Sequence, residues 1–166
     1  MIYNAFDAFV EYVTHTGTRF VGVETKYAEN LSASSISVRQ VYRNFTGNSG
    51  FWLDGAATRL DTPELRQFWL NTLLAQSLCV VGHDGTCYED GLEVVVACGA
   101  DESAAQATHR VRDELHEPDH WLRWVPYEDV LAHLDSAIPW VDDFRTRYLD
   151  FAPVSQFLAA DDPRAP

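Results

Sequence analysis

The 166-residue chain is long enough for one domain with a full hydrophobic core, and 46% apolar with 22% charged residues excludes a disordered polymer. No run approaches the roughly 20 apolar residues of a membrane-spanning helix, and MIYNAFDAF lacks the basic start of a signal peptide, so a cytoplasmic location is expected. A net charge of −13 excludes the broad basic surface that supplies most affinity in nucleic-acid binders, so any intrinsic affinity for DNA is expected to be weak.

Residues 3–13 and 19–28 read as two strands, because YNAFDAFVEYV and RFVGVETKY are rich in aromatic and β-branched side chains. The intervening Thr14 to Thr18, with Gly17, reads as the turn of a hairpin. Residues 30–37 form a Ser-rich loop, Val38 to Phe45 a short helix, and Gly47 to Gly50 a turn. A long helix then starts, with Thr62 at its N-cap, Pro63 at the first position and Glu64 in the first turn. Trp69 and Leu73 lie on its apolar side.

Downstream, residues 82–85 form a loop and GLEVVVAC (91–98) a strand buried on both faces. Asp101 caps a further helix striped by Ala104, Ala107, Val111 and Leu115. Residues 121–125 form a last strand, Pro126 opens a helix to about Leu134, and another helix runs from Trp140 to about Leu149. The elements describe an α/β domain over 1–158, a mixed sheet flanked by helices, with a loose tail over 159–166.

Of the 12 basic residues only Lys26 is a lysine, and Glu24 stands two before it. Lysine presents a compact point charge where arginine presents a planar fork, so a single retained lysine is a candidate for a dedicated role. Alternation along a strand places Asp7, Phe9 and Glu11 on one face, and Gly22, Glu24 and Lys26 on one face of the next. With Thr16 and Gly17 at the centre of the turn, Asp7 lies opposite Lys26; a register shifted by two sets it opposite Glu24. Two carboxylates beside an ammonium suit a Mg²⁺ site, with the Thr25 carbonyl as a further ligand. A solvated salt-bridge cluster on an exposed hairpin explains the same three residues, and the two readings stay open on spacing alone.

AFDAFVEY (5–12), FVGVETKYAE (20–29), SGFWLDG (49–55), LRQFWLNTLLAQSL (65–78) and RYLDF (147–151), in that order, resemble the PD-(D/E)xK nuclease superfamily, in particular a bacterial restriction-endonuclease-like group. The resemblance covers most of the chain. It implies a metal-dependent DNA endonuclease of restriction or repair type using Mg²⁺ or Mn²⁺. Asp7 and Glu24 would hold the metal, Lys26 would assist the water, and Gln67 would be an auxiliary residue. Enzymes that cut both strands are commonly dimers, which leaves a homodimer open. The group carries a helix and a strand ahead of the Asp-bearing hairpin, and here six residues precede Asp7. It also carries an Arg where this chain has Leu70. The same fold without its first elements would be an inactive binding or assembly module.

Other polar groups read as structural. Cys79, Cys87 and Cys98 are odd in number, lack CxxC spacing and read as small buried hydrophobes. His116, Glu117, Asp119 and His120 flank Pro118 in a polar loop, and His83 and Asp54 belong to turns. Arg39 and Arg43 are four apart, facing either a phosphate backbone or solvent. Core packing is expected for most of the five Trp residues.

Overall fold

A β-hairpin leaves one strand with a free edge and gives the other a partner, so the second strand becomes the place where a larger sheet can grow. In the computed structural model, which describes residues 5–27, 31, 37–83, 85–135 and 138–152, β1 (Ala8–Val13) pairs antiparallel with β2 (Thr18–Lys26). β2 pairs parallel with β3 (Asp90–Ala97), and β3 pairs parallel with β4 (Leu122–Pro126). The sheet order is β1-β2-β3-β4. Parallel neighbours need long crossovers. The first contains α1 (Gln40–Asn48), α2 (Ala56–Leu60) and α3 (Pro63–Val80); the second contains α4 (Glu102–Arg112) and α5 (Pro118–Trp121). α6 (Tyr127–Ala132) and α7 (Trp140–Tyr148) follow β4.

The hairpin takes the register that sets Asp7 level with Glu24. Ala8 pairs with Val23, the ladder closes at Val13 and Thr18, and the loop is His15–Thr16 rather than Thr16–Gly17. Thr14 shapes this turn: its backbone N–H donates to the Gly17 carbonyl at 2.8 Å and its hydroxyl to the same oxygen at 2.9 Å.

Elements follow the sequence expectations with shifted ends. α1 starts at Gln40 and takes in Gly47 and Asn48, which the sequence assigns to a turn. Thr62 precedes α3 with extended backbone but makes no capping hydrogen bond from its side chain. Asp101 does cap α4, accepting from Ser103 N and Ala104 N at 3.1 Å. The expected tail lies outside the described residues. No helix among the described residues is long and apolar enough to cross a membrane.

α3 is buried on nearly every side. Phe68, Trp69, Leu70 and Leu73 enter the core, and so do Asn71, Thr72 and Gln76. Buried polar groups must find partners. Trp69 Nε1 donates to Thr46 Oγ1 at 3.0 Å, and Trp52 Nε1 donates to Gln76 Oε1 at 2.8 Å. Trp52, Trp69 and Trp121 pack in the core as expected, whereas Trp140 is exposed. The cysteine expectation holds for Cys98; Cys79 is half-buried and Cys87 is exposed. Leu70 is 2% exposed, where an arginine head would have no water.

Two glycines let aromatic rings lie flat on the sheet beside the acidic positions. A Cβ on Gly22 would stand 2.6 Å from the Phe6 ring, and one on Gly91 would stand 2.2 Å from the Phe20 ring. Phe20 is itself enclosed by Phe9 and Tyr88, each with its centroid 5.0 Å away. Overpacking a filled site costs about 1–3 kcal/mol. Gly91→Ala is therefore expected to lower the free energy of unfolding by that amount in urea titrations; an unchanged midpoint would show that the Phe20 ring moves freely.

Candidate active site

β2 contributes its even-numbered side chains to the face beneath α3, and β3 its odd-numbered ones in parallel register: Gly22 pairs with Glu93, Glu24 with Val95, and Lys26 with Ala97. Along α3, residues four apart lie on one face, so Gln67 and Asn71 project together toward β2. The result is a closed polar ring. Lys26 Nζ lies 2.9 Å from Glu24 Oε1 and donates to Gln67 Oε1 at 2.8 Å. The Gln67 amide N–H closes the ring onto Glu24 Oε1. Asn71 Nδ2 donates to Glu24 Oε2 at 2.9 Å. Glu24 and Lys26 are each 2% exposed, and the Lys26 ammonium stands 5.9 Å from the centre of the Phe68 ring. The solvated-cluster alternative is therefore not what the fold builds around Glu24 and Lys26.

Asp7 sits outside this ring, at the exposed edge. It precedes β1, and its Oδ2 accepts from Thr25 N at 2.8 Å and Thr25 Oγ1 at 2.7 Å. In a strand, the N–H and C=O of one residue point to the same side. The Thr25 carbonyl is therefore turned to the edge that Asp7 occupies. Glu24 titrates above the usual glutamate range: burial is the main cause, the negative charge of Asp7 adds to it, and Lys26 and Asn71 oppose it.

The structure thus brings Glu24, Lys26 and Gln67 into direct contact and joins Asp7 to Thr25. Sequence reasoning missed three residues around them. Asn71 holds the second oxygen of Glu24. Glu93 is fully buried one ladder step away, with Oε2 accepting from Thr72 Oγ1 at 2.5 Å and Oε1 without a hydrogen bond. An acid inside the apolar run GLEVVVAC, and an amide and a hydroxyl inside an apolar helix, were the available signals. Burial raises Glu93 well above its ordinary value of 4.5; Thr72 opposes this and the charge of Glu24 adds to it.

Elsewhere the polar groups pair with one another. Asp61 accepts from Arg66 Nε at 2.7 Å and also from Arg43, so Arg43 is engaged within the fold. His120 Nε2 lies 2.8 Å from Asp90, and Asp119 holds Arg112. The expected polar loop at 116–120 is partly helical, since α5 starts at Pro118. No group of three or more His, Cys, Asp or Glu among the described residues is placed to hold a metal.

A mixed four-stranded sheet flanked by helices, with acidic residues and a lysine gathered on its hairpin, defines a restriction-endonuclease-like fold. A family model for the PD-(D/E)XK nuclease superfamily matches residues 3–150, and the chain belongs to that superfamily. No curated protein and no solved structure matches the chain.

Glu93 gives a test of the buried network. Its folded pKa lies above the unfolded value, so its stabilising contribution is complete below about pH 4.5 and is lost as pH rises through the folded pKa. Glu93→Gln keeps the shape of the protonated acid and cannot ionise. Relative to wild type, the variant is expected to gain stability progressively as the pH rises from 4.5 into the alkaline range in denaturant titrations. A difference that stays flat over that range would mean that Glu93 does not titrate in this window.

Proposed function

We propose that the protein is a metal-dependent deoxyribonuclease that hydrolyses phosphodiester bonds with Asp7, Glu24, Thr25, Lys26 and Gln67. One observation carries the reading. In a member of this superfamily, the hairpin register sets Asp7 and the Thr25 carbonyl at the mouth of a ring that holds Glu24 and Lys26. The donors suit a hard cation: two carboxylates and a carbonyl are all oxygen, and so small a protein set leaves positions for water, as Mg²⁺ and Mn²⁺ prefer. Burial is the main cause of the raised titration of Glu24 and the charge of Asp7 adds to it; a bound cation would offset both. Asp7, Glu24 and the Thr25 carbonyl would hold the ion. When bound, such an ion polarises a phosphodiester oxygen and lowers the pKa of water.

The remaining roles fall to the ring. Lys26 offsets negative charge developing on the phosphate. Gln67 bridges Lys26 and Glu24, so it fixes the distance between ammonium and carboxylate. Asn71 holds the second oxygen of Glu24. These are positioning roles, and they need α3 to stay docked.

A second reading has its own support. Glu24, Lys26 and Gln67 already satisfy one another, at 2% exposure for the ion pair, which is also how an inactive binding or assembly module would keep the ring. Cleavage of plasmid DNA with Mg²⁺ or Mn²⁺ separates the two. Asp7 is exposed, so Asp7→Asn should leave the melting temperature near that of wild type while cutting the rate at least about a hundredfold, as expected for removal of a metal ligand. Lys26→Ala should reduce the rate at least as much and also destabilise, because a buried carboxylate left without its cation costs about 3–5 kcal/mol. Equal rates in wild type and Asp7→Asn would remove Asp7 from the site; no cleavage by wild type with either metal would favour the binding module.

A further inference from the structure

Beyond Asp7 the site continues into an aromatic cluster that nothing in the cleavage chemistry uses. Tyr127 begins α6 and is 7% exposed. Tyr27, immediately after β2, lies nearly parallel to it, with centroids 5.4 Å apart and 21° between the planes. Tyr148 stands 5.6 Å from Tyr27 and 4.8 Å from Phe144, and Phe144 packs against Tyr127 at 5.4 Å. Trp140 reaches the edge of Phe144 at 6.3 Å. Tyr127 and Phe144 pack α7 against the start of α6, but Tyr27, Tyr148 and Trp140 remain 51%, 41% and 52% exposed. The phenol of Tyr127 marks the join with the site. Burial raises its pKa, and Tyr27, Thr25 and Asp7 all act on it. Its oxygen is nonetheless buried without a hydrogen bond.

We infer that Tyr27, Tyr148 and Trp140 form a stacking platform for unpaired bases, and that the preferred substrate is single-stranded DNA threaded past Asp7. The inference rests on the nuclease reading for the position of the scissile phosphate. Charge selects this occupant over a duplex. Duplex binding draws on many cation–phosphate contacts. Here the chain carries −13, and Arg19, Arg43, Arg59, Arg66 and Arg112 are tied to carboxylates of the same chain. α7 is locally balanced, with Asp142 and Asp143 against Arg145 and Arg147, so a strand meets less repulsion there than the total charge implies. Base–aromatic stacking is open only to unpaired bases, tolerates any sequence and adds about 1–3 kcal/mol per base to what the few available cations supply. Tyr27 already stacks on Tyr127, so a base laid on it extends an existing stack. Arg147, 5.6 Å from the centre of the Tyr148 ring, supplies a cation for the adjoining phosphate.

The test reads binding without cleavage. A labelled single strand and the duplex of the same sequence are titrated into the full chain in EDTA, by anisotropy and by Trp fluorescence. The single strand should bind more tightly and quench emission through the exposed Trp140. Tyr148→Ala and Tyr27→Ala should each weaken single-strand binding by about five- to a hundredfold. Tyr148→Phe, which keeps the ring, should bind as wild type does. Equal affinity for strand and duplex, or unchanged binding by both alanine variants, would overturn the platform. Cleavage of the same oligonucleotides with Mn²⁺ keeps the two readings apart. Cleavage without an effect of the alanine variants rejects the platform and leaves the nuclease standing; platform-dependent binding without cleavage does the reverse.

Discussion

The candidate site depends on one buried contact, the Gln67 amide lying between Glu24 and Lys26. A buried ion pair alone is a doubtful stabiliser, since removing two charges from water cancels most of their attraction. The amide changes the balance by accepting from the ammonium and donating to the carboxylate, so each ion has a polar partner besides the other. It also ties α3 to β2 at a defined depth. Asn71, one turn further, repeats the tie on the other oxygen of Glu24. The docking of α3 and the shape of the site are therefore one constraint, and the apolar residues flanking Gln67 and Asn71 supply the adhesion that keeps water from loosening it.

That constraint explains why the core beneath the sheet is more polar than its composition suggests. Glu93, Thr72 and Asn71 form a second layer under the ring, where Glu93 is fully buried; burial raises its titration and the charge of Glu24 adds to this. A neutral acid at Glu93 lets Thr72 and Glu24 coexist in one dry layer; an ionised one would set two carboxylates against a single lysine.

Much of this was legible in the sequence. The lone lysine, the Glu two residues before it and the strand alternation pointed to the correct hairpin, and strand-and-helix patterning placed the mixed sheet. The turn was harder, because hydrogen bonds from Thr14 to Gly17 close it around His15 and Thr16, and a one-position error in the turn centre moves the pairing by two. Asn71 and Glu93 escaped because local pattern reports only how apolar a segment is, while their meaning comes from residues 47 positions away on β2 and 21 positions away on α3. The exposure of Trp140 was invisible for a related reason: helix α7 buries Val141 and packs Phe144 on Tyr127 of α6, and only the assembled fold shows which of its faces is left over.

β1 is exposed along its whole length and forms one edge of the sheet, while β2 is sandwiched between two partners. Asp7 hangs from the loosest strand, and Glu24 and Lys26 belong to the most deeply anchored one. The site therefore spans a gradient of local stability. A fluctuation that peels back the hairpin releases Asp7 from Thr25 while the Glu24–Gln67–Lys26 ring stays intact. Assembly of the proposed ligand set would thus be an equilibrium of its own, separable from folding, and set by whatever pins down that outer strand.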